Sequence, residues 1–274
     1  MILHCGQFKL DLATPRVMGI LNVTPDSFSD GGNFSQTDLA VAHALTLIDE
    51  GVDVLDIGGE STRPNATPVS LQEELDRVIP VIDALVGQIN VPISIDTCKP
   101  AVMRAAIAAG ASMVNDVRAL QEEGAVEAIA EADVAVCLMH MQGTPQAMQD
   151  KPSYADVVNE VSGFLMARVD VCMQAGIARN RMLIDPGFGF GKTRAHNITL
   201  IQQLESVAKL GLPLLVGLSR KSVLGQMTGN DVDARLYASV TAAVISAMKG
   251  ANMLRVHDVK ATVEALKVVS AIME

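Results

Sequence analysis

Eight short apolar runs in this chain each end in a side chain that can hydrogen-bond or carry charge. In chain order the endings are Asn22, Asp56, Asp96, Asn115, His140 beside Met139, Asp185, Ser219 leading to Lys221, and Arg255 with His257. Carboxylates and carboxamides gathered in a narrow pocket suit a flat heterocycle rich in N–H donors, and Asp185 can accept two parallel N–H bonds from an aminopyrimidinone edge. Lys221, Arg255, His257 and Arg63 supply local positive charge for a phosphate-bearing group. Asn22 and Asp56 offer hard oxygen ligands to Mg²⁺, which usually takes one or two protein ligands beside substrate phosphates. Oxygen ligands and cations in one set point to a diphosphate leaving group. A single Asp or Asn at a strand end has a plainer use, capping the next helix or closing a turn. Eight polar endings out of eight weaken that explanation for the whole set.

The elements that must position these groups are legible as an alternation. Apolar runs begin at Val17, Val52, Pro92, Ser112, Val134, Arg181, Pro213 and Met253, with longer amphipathic stretches between them, the pattern of parallel strands joined by helices. Helices are predicted from Thr37 to Glu50, from the capping-box signature Ser70-Leu-Gln-Glu73, and between Pro100 and Gly110. Others are predicted from Tyr154 to Ala175 and from Asp233 to Lys249, each stopped by a glycine. Eight βα units in roughly 255 residues match a single closed (β/α)₈ TIM barrel, whose strand C-termini converge on one mouth. A doubly wound open sheet is the architectural alternative. The first residues, alternating around Gly6, predict a short N-terminal β-hairpin that plugs the opposite end. Residues 1–274 read as one barrel domain, without linker, low-complexity tract or repeat beyond the βα period.

Composition narrows the function classes. The chain is 49% hydrophobic and 19% charged, enough apolar surface for a large core, and only 3% aromatic, which disfavours stacking platforms for single-stranded nucleic acid. A formal charge of -10, with no basic run, repels a nucleic-acid backbone, so an anionic ligand must be small and held by a few local cations. The four cysteines are scattered without a C-x-x-C pair, which suggests reduced thiols and a cytoplasmic location. No export signal and no apolar run long enough to span a membrane is visible.

Two near-motifs fail on inspection. The stretch from Pro186 to Thr193 ends like a phosphate-binding P-loop, but proline stands where that loop needs its first glycine. Its glycines are also spaced G-x-G-x-G after the sixth strand, which does not fit a dinucleotide-binding turn after the first. A flexible loop presenting Phe190 to a ligand is the functional reading of this stretch, against a plain glycine-rich connection. His4, His43 and His196 read as surface or packing residues, and His140 as a structural histidine beside an inward-facing Met139 that can line a flat apolar ring.

On these residues the chain resembles the dihydropteroate synthases, pterin-binding enzymes of bacterial folate synthesis, and is similar to their enterobacterial forms. The resemblance covers essentially the whole chain. It is carried by GILNVTPDSFSDGG from Gly19, DIGGESTRPNA from Asp56, SIDT from Ser94, NDV from Asn115, DPGFGFGK from Asp185, GLSRKS from Gly217 and RVHDV from Arg255. It implies condensation of 6-hydroxymethyl-7,8-dihydropterin diphosphate with 4-aminobenzoate, with Mg²⁺, in a homodimeric enzyme that sulfonamides inhibit. It implies a pterin pocket of Asp96, Asn115, Asp185 and Lys221, with Met139, Gly217, Phe190 and Arg255 covering the ring. The diphosphate and Mg²⁺ would fall to Asn22, Arg63, Arg255 and His257, supported by Asp56. Aminobenzoate would meet Thr62, Arg63, Pro64, Phe190, Ser219 and Lys221, with Phe28 closing over it. Asp96, Lys221, Phe28 and Arg63 are the residues expected to serve catalysis. Within the same fold, a methyltransferase barrel acting on folates would need the carboxylates but not the cations. A non-catalytic pterin or phosphate binder would release no pyrophosphate.

Overall fold

A computed structural model describes residues 1–24, 36–61, 66–144 and 147–273. Two antiparallel strands open the chain, β1 (Ile2–Cys5) and β2 (Phe8–Asp11), paired from Ile2↔Asp11 to Cys5↔Phe8. Eight parallel strands follow: β3 (Arg16–Asn22), β4 (Val54–Gly58), β5 (Ile93–Asp96), β6 (Met113–Asp116), β7 (Ala135–Met139), β8 (Met182–Asp185), β9 (Leu215–Val216) and β10 (Met253–Val256). They are ordered β8-β7-β6-β5-β4-β3-β10-β9, and a parallel bridge from Ile184 to Leu214 joins the two ends. The sheet is a closed (β/α)₈ barrel with an N-terminal hairpin.

Alternation along each strand sends side chains to two different cores. Val17, Leu21, Leu55, Ile57, Ile95, Val136 and Ile184 face outward into one apolar layer shared with the helices. Met18, Val54, Met113, Ala135, Cys137, Leu183, Leu215 and Met253 face inward and pack with Leu3, Cys5 and Leu12 of the N-terminal segment. The hairpin therefore plugs the N-terminal end of the barrel, as the sequence predicts, and the polar endings lie at the other end.

The connecting helices are α1 (Gln36–Asp49), α2 (Leu71–Leu85), α3 (Pro100–Ala109), α4 (Ala125–Ala130) and α5 (Val157–Gln174). After β8 come α6 (Arg194–Gln202) and α7 (Leu204–Ala208), then α8 (Ser222–Thr228), α9 (Leu236–Met248) and α10 (Val259–Met273). Ser70 caps α2 by accepting the Glu73 amide at 3.2 Å, while the Glu73 carboxylate pairs with Arg77 at 2.5 Å. α3 starts at Pro100 and ends at Gly110, whose φ of 115° only glycine adopts freely.

Two helix starts differ by more than one residue from the sequence expectation. α5 begins at Val157, not Tyr154, because Asp156 caps it by accepting two backbone amides and frees Tyr154 to bond elsewhere. α9 begins at Leu236, since residues 232–234 form a separate 3₁₀ turn.

Candidate active site

Inward positions near the C-terminal ends of the strands bring Asp56, Asp96, Asn115 and Arg255 into direct contact. Arg255 Nε donates to Asp56 Oδ2 at 2.6 Å, and the Arg255 terminal nitrogen donates to Asp96 Oδ2 at 2.6 Å. Asn115 Nδ2 adds a bond to Asp56 Oδ2 at 3.1 Å. All four are buried or nearly so, yet Asp56 Oδ1 and Asp96 Oδ1 have no hydrogen-bond partner among the described residues. A buried carboxylate oxygen left this way is costly, so these two atoms are places for a ligand or water to bind. Burial pushes the Asp96 carboxyl up to about 7; Arg255 opposes the rise, and Asp56, Asp116 and Glu74 add to it. Burial works against the Arg255 charge too, but Asp56 and Asp96 hold it protonated.

Opposite them, Asp185 ends β8 and accepts the Gly187 amide on Oδ1 at 2.7 Å. Burial raises its carboxyl, opposed chiefly by Lys221. Residues 187–190 form a tight turn closed by Phe190 N–H to Gly187 O at 3.1 Å, with Gly189 at φ +81°, the type II arrangement that requires glycine third. That turn presents the Phe188 carbonyl to Lys221 Nζ at 2.5 Å, while the same Nζ lies 4.6 Å from the centre of the Phe190 ring. Desolvation lowers Lys221 to about 8, against the pull of Asp185. Gly187 tolerates no side chain here: a Cβ would sit 1.9 Å from the His140 carbonyl oxygen.

The mouth's other loops are tied to one another. Ser219 Oγ accepts the His257 amide at 3.1 Å and meets His257 Nδ1 at 3.0 Å, joining the loops after β9 and β10. Arg220, strained at φ 57°, sends its guanidinium to Asp258 and its amide to Ser239 Oγ at 3.0 Å. Lys99 bridges Glu60 and the fully buried Glu74, packing the start of the loop after β4 against α2 and α3. A cavity of about 300 Å³ opens at this same end, bordered by Met139, Val117, Met141 and Phe164.

Residues 18–257 match the model of a family described as pterin binding enzyme. A dihydropteroate synthase of Escherichia coli is 53% identical over 263 residues, covering 96% of this chain and 93% of its own. Two solved structures superpose closely. One is a Xanthomonas albilineans dihydropteroate synthase with 4-aminobenzoic acid, at TM-score 0.95 and 54% identity over 99% of this chain and 98% of that one. The other is a Yersinia pestis dihydropteroate synthase in a sulfonamide drug complex, at TM-score 0.95 and 51% identity over 100% and 99%. The chain belongs to the dihydropteroate synthases, within the pterin-binding enzymes.

The fold of this synthase brings together most of the residues singled out in its sequence. Asp56, Asp96, Asn115, Asp185, Lys221, Arg255, Phe190 and Met139 all lie at the mouth. Gly217 lies between two of them, since a Cβ there would be 3.6 Å from Arg255 Cβ and 3.8 Å from Lys221 Nζ. Asn22 sits with Asp96 over Gly58, its Oδ1 3.9 Å from where a Gly58 Cβ would stand. Ser219 and His257 are present but engaged with each other. Phe28, Thr62, Arg63 and Pro64, and most of the loop from Thr24 to Gln36, lie outside the described residues.

The loop of residues 186–191 is not the flexible one its glycines suggest. Lys192 Nζ reaches back to Gly187 O at 2.9 Å and Phe190 O at 3.0 Å, Asn197 Oδ1 accepts the Gly189 amide at 2.8 Å, and Tyr154 donates to Gly191 O at 2.7 Å. Sequence reasoning weighed Lys192 only as a failed P-loop lysine and missed this role. The usable signal was a lysine closing a run of three glycines whose carbonyls have no helix or strand to satisfy them.

Proposed function

We propose that this synthase condenses 6-hydroxymethyl-7,8-dihydropterin diphosphate with 4-aminobenzoate, giving 7,8-dihydropteroate and pyrophosphate by dissociative substitution at the pterin methylene carbon. The observation that carries the reading is the grouping of buried Asp96, Asn115 and Asp185 with half-buried Lys221 and Arg255 at one barrel mouth, together with two carboxylate oxygens that have no partner among the described residues. The relative solved with 4-aminobenzoic acid supports the acceptor, and the one solved with a sulfonamide drug supports sulfonamides as inhibitors of this chain.

In this reading Asp185, Asn115 and Asp96 take the donor-rich edge of the pterin, with Met139 and Phe190 against its faces. Arg255 spends its Nε and one terminal nitrogen on Asp56 and Asp96, so its remaining N–H donors are available to an anion. Lys221 and Arg255 put fixed positive charge beside the departing diphosphate, in a site where burial strengthens the effect. Asp96, held between charged and neutral near pH 7, faces the cation that forms on the pterin as the C–O bond breaks. The arylamine nitrogen of 4-aminobenzoate then forms the new C–N bond and loses its proton to solvent. His257, Arg63 and Asn22 are proposed for the diphosphate, and Thr62, Arg63, Pro64, Ser219 and Phe28 for the aminobenzoate.

Asn22 Oδ1 and the unpartnered Asp56 Oδ1 are hard oxygen donors at the same mouth, so the residues present suit Mg²⁺. When bound with the substrate, Mg²⁺ supplies further positive charge to the diphosphate. The homodimer is proposed for the paired faces of α9 and α10, where Tyr237, Ile245, Met248, Val268 and Ile272 are exposed. Four free cysteines, three of them buried, suit a reducing compartment such as the cytoplasm.

The deciding experiment follows pyrophosphate release with the pterin diphosphate, 4-aminobenzoate and Mg²⁺, leaving each out in turn. Release that needs all three supports the reading. Pyrophosphate release with no 7,8-dihydropteroate formed when the three are present, or no release at all, overturns it.

A further inference from the structure

We propose that Lys192 is a positioning residue for the pterin site, clamping the turn of residues 187–190 from behind so that the Phe188 carbonyl and the Phe190 ring hold Lys221 at the mouth. The inference rests on reading that mouth as the pterin site. Lys192 is 3% exposed, and its charge acts on Asp185, although it donates no hydrogen bond to a mouth carboxylate among the described residues. Its ammonium has three donors, and four acceptors surround it: Gly187 O at 2.9 Å, Phe190 O at 3.0 Å, His140 Nδ1 at 2.9 Å and His140 O at 3.3 Å. Gly187 and Phe190 are the first and last residues of the turn, so the clamp falls on its two ends.

The orientation of the turn matters because a peptide flip between its second and third residues would convert a type II into a type I turn and rotate the Phe188 carbonyl away. Lys221 would then lose its 2.5 Å acceptor, and Phe190 its place beneath the cation. Other bonds share this work: Asp185 Oδ1 accepts the Gly187 amide, and Asn197 Oδ1 accepts the Gly189 amide, the N–H of the peptide that would flip. Gln149 and Tyr154 donate to the Gly189 and Gly191 carbonyls, and among the described residues Lys192 is what ties the carbonyls of both turn ends together. On the far side, His140 is boxed by Phe164 at 5.0 Å and Tyr154 at 6.0 Å between ring centres. Desolvation and the neighbouring Lys192 charge lower its imidazole to about 3, which leaves Nδ1 free to accept. A lysine is thus held in place on one side by a rigid aromatic box and holds a turn on the other.

The test measures binding of 6-hydroxymethylpterin by calorimetry, and KM for its diphosphate, in wild type, Lys192→Met, Lys192→Gln and His140→Asn. Wild type must bind the pterin; if it does not, the reading of the mouth fails and this inference falls with it. Lys192→Met keeps the length but none of the donors, and should weaken pterin binding and raise KM by about tenfold or more, the size expected when buried acceptors lose their partner. Lys192→Gln keeps two N–H donors and should fall between it and wild type. His140→Asn keeps an acceptor where Nδ1 sits and should stay within about threefold of wild type. Wild-type pterin affinity in Lys192→Met, or a lower kcat at unchanged KM that merely follows the folded fraction, overturns the proposal. So does failure of both Lys192 variants to fold, which would make the lysine a requirement of the fold itself.

Discussion

The two ends of the barrel are built on the same eight strands and share almost nothing in chemistry. Toward the N-terminal end, Met18, Val54, Met113, Leu183, Leu215 and Met253 close on the hairpin's Leu3 and Cys5, with the buried Ser94 hydroxyl beside Met113. Two residues further along the strands, the same inward face carries Asp56, Asn115, Asp185 and Arg255. A barrel interior is a packed core, so the polar end is an expense that packing alone would not select. The apolar end is what makes the polar end possible: it fixes strand position and register while contributing no chemistry.

The largest effect should come from breaking the charged centre. Arg255→Met removes the shared partner of Asp56 and Asp96 and leaves two buried carboxyls facing each other. Losing one member of such a buried cluster costs about 4 kcal/mol. Chemical denaturation at pH 8 should show that loss, and a smaller one at pH 5, where Asp96 can take up a proton. Equal losses at both pH values would mean that the charges at the mouth are not what Arg255 stabilises.

At the opposite end, Leu183→Ala removes a fully buried side chain and opens a cavity beside the hairpin. Stability should fall by about 3 kcal/mol, the middle of the range for a core leucine. KM values of the folded protein should be unchanged. A shift in KM as large as the loss of stability would erase the division of labour between the two ends.

Asp185→Asn returns to the mouth with a subtler change. Size is kept, but one acceptor becomes a donor, and a pterin N–H then faces an N–H. About 2 kcal/mol of pterin affinity should disappear, roughly thirtyfold by calorimetry, with little change in thermal stability. Unaltered affinity would remove Asp185 from the pterin site.

The apolar end was nearly all readable in the sequence, because period-2 alternation and glycine or proline stops carry over directly into strands and caps. Even the hairpin plug follows from residues 1–12. At the mouth, residue identities were readable and their pairings were not. Nothing local says that Arg255 spans Asp56 and Asp96, that Ser219 serves His257, or that Lys192 supports a turn five residues behind it. Such contacts join residues up to 199 positions apart, as from Arg255 to Asp56, and depend on how strands lie side by side once the barrel has closed. Helix starts slipped for a related reason. Tyr154 looks helical in isolation, but its hydroxyl is recruited by Gly191 O, and the capping role passes to Asp156.

The smallest effect predicted is the pH dependence of stability, to which the buried groups at and beside the mouth contribute in two opposite senses. Burial raises Asp96 to about 7 and Asp116 to about 6, so between about pH 4 and pH 7 the folded chain binds protons that the unfolded chain, with carboxyls near 4, has released. Stability is then lost as pH rises through that window. His140, lowered by burial to about 3, offsets part of this fall below about pH 6.5, where the unfolded chain binds the extra proton. Lys192 and Lys221 act in the same opposing sense at higher pH. Burial lowers them to about 7 and about 8, so from there to about pH 10 the unfolded chain binds the extra protons and stability returns as pH rises. The two limbs meet near neutrality. Urea unfolding at constant ionic strength should therefore show a shallow minimum close to pH 7, about 1 kcal/mol below the values two units either side, where many proteins show their maximum. In Lys192→Met, if it folds, the alkaline limb should flatten, since one of the two groups that produce it is gone. A wild-type profile that rises steadily from pH 5 to 7 would show that the mouth's carboxyls ionise as easily in the barrel as in water, and that the cost assigned to this end of the molecule is not there.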